Sequence, residues 1–313
     1  ARDTQKVWQS YGVTKRVALL RTVIEVFMKR KKELATLISR EMGMPISEST
    51  KDVEYGIQYF EWYLDNAEEC LKPETTYEDK RELHRVFYEP VGVVAVIVPW
   101  NFPFSNFVWQ VGQNLIAGNT VVFKHSEETS LFGKEIEKAF EISKFPIGVF
   151  NEVYGDGKVG EILVNQDIDM ICFTGSSNTG KHLHEIAAKK FIPTLMELGG
   201  SAPGIVFEDA NIDEVIDSIY TNKFLNCGQV CDGLKRLIVH ESKFEEVVKK
   251  LKSLIGIKKI GIAENKDTQV GPLVAERQLR ILKEQVEDAV SKGAKIEIGG
   301  KSPKNLKGAF YEL

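Results

Sequence analysis

The chain has 313 residues, of which 43% are hydrophobic and 27% are charged, and its formal net charge is −4. This composition is typical of a globular protein that is large enough for two domains, and the weak acidity gives no electrostatic reason to expect nucleic acid as a partner. No stretch approaches the ~20 apolar residues of a membrane span, and the first residues are too polar for a signal peptide. We therefore expect a cytoplasmic protein that does not bind membranes.

Two amphipathic patterns open the chain. Apolar residues at helical spacing predict one helix over 13–38 and a second over 47–71. Residues 73–90 are polar and rich in Thr, Tyr and Arg, with an alternating pattern that predicts two antiparallel strands protruding as a β-hairpin.

Four continuous apolar runs follow, and segments with helical patterns separate them. The predicted strands are 91–98, 120–123, 149–153 and 170–173, with helices near 105–117, 130–144 and 158–165. Buried strands separated by helices predict a doubly wound, Rossmann-like parallel sheet.

The pattern restarts after Gly200, with predicted strands at 203–207 and 237–240 and helices at 212–225, 242–254 and 275–291. The fold class is therefore α/β. We predict a first domain formed by 1–72 and 91–200, a hairpin over 73–90, and a second α/β domain over 201–313.

Ligands of such sheets bind beyond the carboxyl ends of the strands, and three features lie there. Gly175 and Ser176 follow a strand and open a helix, which by itself is more typical of a plain helix cap but also suits an anion site. Lys124 and Glu127 could bracket ribose hydroxyls or form a surface ion pair. Gly155, in a Gly-Asp-Gly run, is compatible with a ligand loop or a mere turn.

A rigid loop follows the most apolar strand, because the run 99–103 (Pro-Trp-Asn-Phe-Pro) holds two prolines that restrict its backbone. The amide of Asn101 could donate to a developing oxyanion there, although a structural turn explains the run equally well. Cys231 is a candidate nucleophile, and Glu197, 34 residues earlier, is a candidate base. Cys227 and Cys231 have no matching His or Cys cluster, so we predict no metal site.

Six short runs of the sequence are informative together: 99–103, 124–127, 173–176, 197–200, 226–231 and 271–272. They occur in the order and approximate spacing of the aldehyde dehydrogenase superfamily, which the chain resembles over essentially its whole length. The resemblance implies that Cys231 attacks an aldehyde to give a thiohemiacetal and then a thioester. It implies that Asn101 and the backbone N–H of Cys231 hold the oxyanion. Glu197 would be the general base for hydrolysis of the thioester.

The same resemblance implies a dinucleotide cofactor bound by the first domain. Lys124 and Glu127 would bind the adenosine ribose, and Ser176 the pyrophosphate. The other implied cofactor-binding residues are Trp100, Gly155, Gly175, Leu198 and Gly199. NAD is expected because the Glu127 carboxylate would repel a 2′-phosphate, and NADP stays possible because Lys124 and His125 could offset that repulsion. The second domain would be catalytic, and the hairpin would serve assembly as a homodimer or homotetramer.

The implied substrate-lining residues are Asn106, Trp109, Val230 and Asp232. The stretches 41–45 and 59–63 look most like the succinate-semialdehyde dehydrogenase branch. A site for the carboxylate of a semialdehyde needs a cation, however, and no lysine or arginine occurs between Asn101 and Lys124. Asp232 would also repel the substrate carboxylate. The substrate prediction is therefore succinate semialdehyde or another small aldehyde.

Two alternatives remain, and one expectation concerns chain length. A CoA-acylating aldehyde dehydrogenase would use Cys231 but would have little need of Glu197. An inactive, truncated scaffold or nucleotide-binding protein would use neither. The family pattern continues beyond the segment that corresponds to the end of this sequence at Leu313. We therefore expect the chain to be a fragment of a longer polypeptide.

Overall fold

The computed structural model describes residues 1–313. They form two compact units, the first made of Ala1–Leu34 and Lys51–Leu198 and the second of Ala35–Thr50 and Gly199–Leu313. The second unit therefore includes Ala35–Thr50, which the sequence pattern placed in the first domain. Backbone pairing explains the difference, since the Ile46 N–H donates to the Ala263 carbonyl at 2.9 Å.

Three helices open the chain: α1 (Arg2–Ser10), α2 (Gly12–Met42) and α3 (Ile46–Cys70). The sequence predicted α2 and α3 but not α1, whose few apolar residues form no extended stripe. Trp8 anchors α1, because its ring is fully buried and its Nε1 donates to the Leu115 carbonyl at 3.0 Å.

The hairpin consists of β1 (Glu74–Glu78) and β2 (Leu83–Val86), which pair antiparallel as predicted. Every residue of both strands is exposed. Neither face of this hairpin is therefore covered within the chain.

A five-stranded parallel sheet forms the centre of the first unit. Its strands are β3 (Val93–Ile97), β4 (Thr120–Lys124), β5 (Phe150–Glu152), β6 (Met170–Gly175) and β7 (Thr194–Leu198), in the order β5-β4-β3-β6-β7. The doubly wound parallel sheet is thus confirmed. β7 was not predicted, because its residues alternate between half-buried and exposed and form no continuous apolar run.

The connections of this sheet contain α4 (Pro103–Phe107), a π-helical turn (Val108–Gly112), α5 (Gln113–Ala117), α6 (Ser130–Ile142), α7 (Gly157–Val164) and α8 (Ser177–Lys190). The strand order reverses between β3 and β6. At such a switch point the connections leave in opposite directions, so the carboxyl ends of these two strands border a crevice. The loop 99–103 follows β3, and Ser176 follows β6.

The second unit contains β8 (Pro203–Val206) and β9 (Arg236–Val239), which pair in parallel, and the helices α9 (Ile212–Phe224), α10 (Glu241–Gly256) and α11 (Glu276–Ser291). Val206, Ile212 and Val247 form its buried centre. No helix of the chain combines the length and the apolar character needed to cross a bilayer.

Candidate functional site

The loop after β3 presents Asn101 at the start of a helix. Pro103 occupies the first turn of α4, where its missing N–H costs no hydrogen bond. The Asn106 side chain, one turn later, donates from Nδ2 to Oδ1 of Asn101 at 3.3 Å. Two of the predicted site residues are therefore in direct contact, and the Asn101 amide is oriented by that contact.

Asp52, on α3, anchors the same helix. Its buried carboxylate accepts a hydrogen bond from the Ser105 hydroxyl. Burial raises the pKa of Asp52 to about 6, although the hydrogen bond from Ser105 opposes the shift. The sequence gives no indication of a role for Asp52, because an acidic residue within an amphipathic helix shows no sign of burial.

An aromatic cluster lies beside the predicted substrate residue Trp109. The Trp109 ring meets the Tyr59 ring edge to face at a centroid distance of 6.3 Å, and the Tyr63 ring lies 6.5 Å from that of Tyr59. Trp109 and Tyr59 are both substantially exposed. Neither 52–71 nor 103–117 contains a lysine or arginine, so these segments offer aromatic surface and no cation.

Ser176 is the N-cap of α8, and its Oγ accepts from the Thr179 N–H at 3.3 Å. The first turn of α8 carries no acidic residue. Backbone N–H groups at a helix start, without a competing carboxylate, have the chemistry of a phosphate site. The cap interpretation is therefore correct for the Ser176 side chain, and the backbone still fits an anion.

Lys124 and Glu127 flank the carboxyl end of β4. The Lys124 ammonium is buried, donates to the His125 carbonyl at 3.0 Å, and lies 3.8 Å from Oε2 of Glu127. Burial lowers the pKa of Lys124, and the charge of Glu127 acts in the opposite direction. Glu127 is exposed, so its carboxylate can accept hydrogen bonds from ribose hydroxyls. The donor set at the ends of β4 and β6 thus fits a dinucleotide.

His125 is buried and engaged within the fold. Its Nδ1 faces the carboxylate of Glu152, and its ring packs edge to face on Tyr154 at 4.9 Å. A side chain at Gly133 would collide with both His125 and Glu152, so only glycine fits beside this pair. The sequence suggested His125 as a balancing charge for a 2′-phosphate, but its imidazole is 3% exposed and paired inside the first unit.

Glu197 lies on β7 and is exposed. It pairs in register with Thr174 on β6, and Leu198 pairs with Gly175. A side chain at Gly180 would collide with Leu198, which places this residue against the first turn of α8. Glu197 and Leu198 are thus next to the phosphate-site candidates on the neighbouring strand. Gly155, beyond β5, has φ +144°, a backbone conformation that requires glycine, and Trp100 is half-buried.

Cys231 lies in the second unit and is an exposed free thiol. Its Sγ is 3.9 Å from Oδ1 of Asp232, and its carbonyl accepts from the Gly200 N–H at 3.2 Å. Lys235 donates from Nζ to the Val230 carbonyl at 3.0 Å. Lys235 brings a cation close to Val230 and was missed, because a single lysine before a strand has no distinctive pattern.

The glycine of the Gly271-Pro272 run is required for a steric reason. A side chain at Gly271 would collide with the Gly43 carbonyl, and Gly43, with φ +82°, faces the Pro272 carbonyl in turn. Two backbone segments of the second unit therefore approach each other too closely for any residue but glycine. A cavity of about 380 Å³ lies beside them, and none of the predicted site residues lines it.

The predicted site residues are divided between the units. Asn101, Glu197, Asn106, Trp109 and most of the cofactor candidates belong to the first, whereas Gly199, Val230, Cys231 and Asp232 belong to the second.

The sequence model described as the aldehyde dehydrogenase family matches residues 1–313. The chain belongs to the aldehyde dehydrogenase family. Among the curated aldehyde dehydrogenases, a glutarate-semialdehyde dehydrogenase of Pseudomonas putida is 33% identical over 309 residues, which cover 97% of this chain and 63% of the relative. The mitochondrial succinate-semialdehyde dehydrogenase of Mus musculus is 36% identical, with 100% of this chain and 61% of the relative covered.

Solved structures of other proteins share the fold. An NADP-dependent enzyme of E. coli has a TM-score of 0.95 at 31% identity, covering 100% of this chain and 65% of that one. An aldehyde dehydrogenase of Bacillus cereus in complex with NAD+ has a TM-score of 0.93 at 31% identity, covering 97% and 62%. The chain thus spans less than two thirds of the length of these relatives.

Proposed function

We propose that the protein oxidises a small aldehyde to the carboxylic acid with NAD(P)+, through a thioester on Cys231. The observation that carries this proposal is the exposed free thiol of Cys231, within a chain that belongs to the aldehyde dehydrogenase family. In this proposal the first domain binds the dinucleotide and the second supplies the nucleophile.

The Cys231 thiolate adds to the carbonyl carbon and forms a C–S bond, which leaves a tetrahedral thiohemiacetal with a negative oxygen. The Asn101 side chain and the Cys231 N–H donate hydrogen bonds to that oxygen. Bound NAD(P)+ supplies the hydride acceptor. Glu197 then takes a proton from the water that cleaves the thioester, so that the acid leaves and the thiol is restored.

The cofactor would be held at the carboxyl edge of the sheet. Glu127 would accept from the adenosine ribose hydroxyls beside Lys124, and the N-terminus of α8, capped by Ser176, would bind the pyrophosphate. The exposed Glu127 carboxylate favours NAD, since a 2′-phosphate would add negative charge beside it. Buried His125 does not offset that repulsion, because its imidazole is already paired with Glu152.

The aromatic cluster bears on the substrate. Trp109, Tyr59 and Tyr63 present apolar rings on segments without a cation, which favours an aldehyde with an apolar or aromatic tail. Succinate semialdehyde is the second candidate. It is favoured by the names of the relatives and by Lys235, the one cation in contact with the Val230 backbone.

The exposed hairpin supports assembly as a homodimer or homotetramer, because its two faces have no cover within the chain. A CoA-acylating reaction is the alternative chemistry. It transfers the acyl group to a thiol and needs no base for water, so the presence of Glu197 disfavours it. An inactive scaffold would bind nucleotide without turnover.

The test is aldehyde oxidation by the full-length protein with NAD+ or NADP+, across short, aromatic and ω-carboxy aldehydes, with and without CoA. We expect free acid as the product, no stimulation by CoA, and loss of turnover in Cys231→Ser. Cys70→Ser is the matched control, since Cys70 is the other exposed thiol. Undiminished oxidation by Cys231→Ser would refute the proposal, and an acyl-CoA product would favour the alternative chemistry.

A further inference from the structure

The loop that leads to Cys231 has an unusual backbone. Three consecutive residues have left-handed conformations, with φ +49° at Asn226, +57° at Cys227 and +79° at Gly228. Glycine adopts this region without cost and asparagine tolerates it, whereas a cysteine there is strained. Surrounding contacts must therefore hold this loop in place.

Glu48 supplies the charged contact. Its Oε2 accepts a hydrogen bond from the Asn226 N–H at 2.7 Å, across 178 residues of sequence. The Asn226 residue is fully buried. A hydrogen bond to a carboxylate is stronger than one to a neutral acceptor, and an unmet donor in a buried segment is costly.

The charge of Glu48 also reaches the neighbours of that N–H. It contributes to the raised pKa of Cys227, about 12, for which burial is the larger cause. Burial also raises the pKa of Tyr220 to about 12, and the charge of Glu48 contributes to that shift. The charge of Glu48 therefore acts on these two side chains as well as on the Asn226 N–H.

Neutral contacts complete the support of the loop. The Cys227 thiol donates to the Gly271 carbonyl at 3.4 Å, and the Gln229 side chain donates to the Asn226 carbonyl at 3.1 Å. Oε1 of Gln229 also accepts from the Val274 N–H at 3.0 Å. Glu48 supplies the one carboxylate oxygen among the named contacts.

We propose that Glu48 is a positioning residue, which holds the left-handed turn 226–228 by its hydrogen bond to the Asn226 N–H and so fixes the loop that carries Cys231. Glu48 touches no reacting atom in this proposal. Its effect on turnover rests on the proposed function, whereas its effect on the order of the loop does not.

Three substitutions of Glu48 separate the effects of its charge, of its side-chain length and of its hydrogen bond to the Asn226 N–H. Glu48→Gln keeps an acceptor oxygen in place, Glu48→Ala removes it, and Glu48→Asp keeps the charge but withdraws it by one methylene group. Glu54→Ala is the matched control, because Glu54 is a surface carboxylate on the same helix, paired with Lys31 at 3.0 Å.

The experiment measures backbone hydrogen exchange in peptides covering 224–231 of the full-length protein, and kcat and KM for aldehyde and NAD+. We expect Glu48→Ala to speed exchange in this segment and to lower kcat, each by roughly tenfold or more, with the KM for NAD+ unchanged. Glu48→Gln should keep the exchange rate in this segment and the kcat close to those of the parent, and Glu54→Ala should change neither quantity. If Glu48→Ala does not fold, Glu48→Asp should show the same pattern.

Unchanged exchange in both Glu48→Ala and Glu48→Asp would overturn the proposal, as would a failure of Glu48→Gln to restore it. Absence of turnover in the unsubstituted protein would instead count against the proposed function, and the exchange result would still decide the role of Glu48.

Discussion

Asn106 donates a hydrogen bond from Nδ2 to Oδ1 of Asn101 at 3.3 Å, so the carbonyl end of the Asn101 amide is directed toward α4. The opposite end of the amide, Nδ2, is then the group that can donate to an oxyanion. The role proposed for Asn101 therefore depends on a second asparagine.

Removing either asparagine should slow turnover by different amounts. Asn101→Ala deletes the proposed oxyanion donor and should lower kcat by ~10²–10³. Asn106→Ala leaves the donor but frees its orientation, so we expect a smaller loss of about tenfold. Steady-state kinetics with NAD+ measure both. An Asn106 variant that is more impaired than the Asn101 variant would contradict this order.

Asp52 gives the structure a pH-dependent stability. The folded-state pKa of about 6 lies above the ordinary aspartate value of 3.8 because the carboxyl is buried, so the fold favours the protonated form, and this stabilisation is lost as the pH rises through about 6. Asp52→Asn, which cannot ionise, should therefore gain stability relative to the parent between about pH 4 and about pH 7, by at most on the order of 3 kcal/mol.

Chemical denaturation of both proteins at these two pH values measures the difference. The control is Asp65→Asn, since Asp65 is an exposed carboxylate on the same helix, paired with Arg21. Parallel pH profiles for Asp52→Asn and the parent would show that Asp52 titrates normally.

The four cysteines should differ in reactivity. Cys231 and Cys70 are exposed, whereas burial raises the pKa of Cys172 to about 11 and that of Cys227 to about 12. Because the thiolate is the reactive form, iodoacetamide at neutral pH should modify Cys231 and Cys70 and leave the other two intact. Peptide mass spectrometry gives the pattern, and early modification of Cys227 would contradict the described loop.

Glu127 should control the choice between NAD and NADP. Glu127→Gln removes the carboxylate that would repel a 2′-phosphate, so the ratio of kcat/KM for NADP+ to that for NAD+ should rise by about tenfold. Glu128→Gln is the control at the next position, with an unchanged ratio expected. If both variants shift the ratio equally, the effect comes from net charge and not from a contact at Glu127.

Sequence patterns predicted the parts of the fold that rest on continuous apolar runs or helical periodicity. β3, β4 and β6 have such runs, and α2 and α3 have the periodicity. β7 was not predicted because its residues alternate between half-buried and exposed at a sheet edge. The sequence pattern placed 35–50 in the first domain, and its grouping with Gly199–Leu313 depends on long-range pairing, on which local patterns carry no information.

The residues of the candidate site also divide into those with a local sequence signal and those without one. Motif order named Cys231, Glu197 and Asn101, and their roles remain predictions. Asp52, Glu48 and the His125–Glu152 pair gave no signal, because their meaning depends on burial and on partners distant in sequence. A charged residue on a helix looks the same in the sequence whether it faces water or anchors a loop.

Glu197→Gln offers the most direct test of the thioester mechanism. Without the general base, the acyl group should remain on the nucleophile after oxidation. The full-length variant, mixed with NAD+ and an aldehyde and then digested under acid, should yield the Cys231 peptide with the added mass of the acyl group, and the parent should yield far less. An acyl group on another residue, or no acylated peptide in a variant that has produced one equivalent of reduced cofactor, would contradict the account.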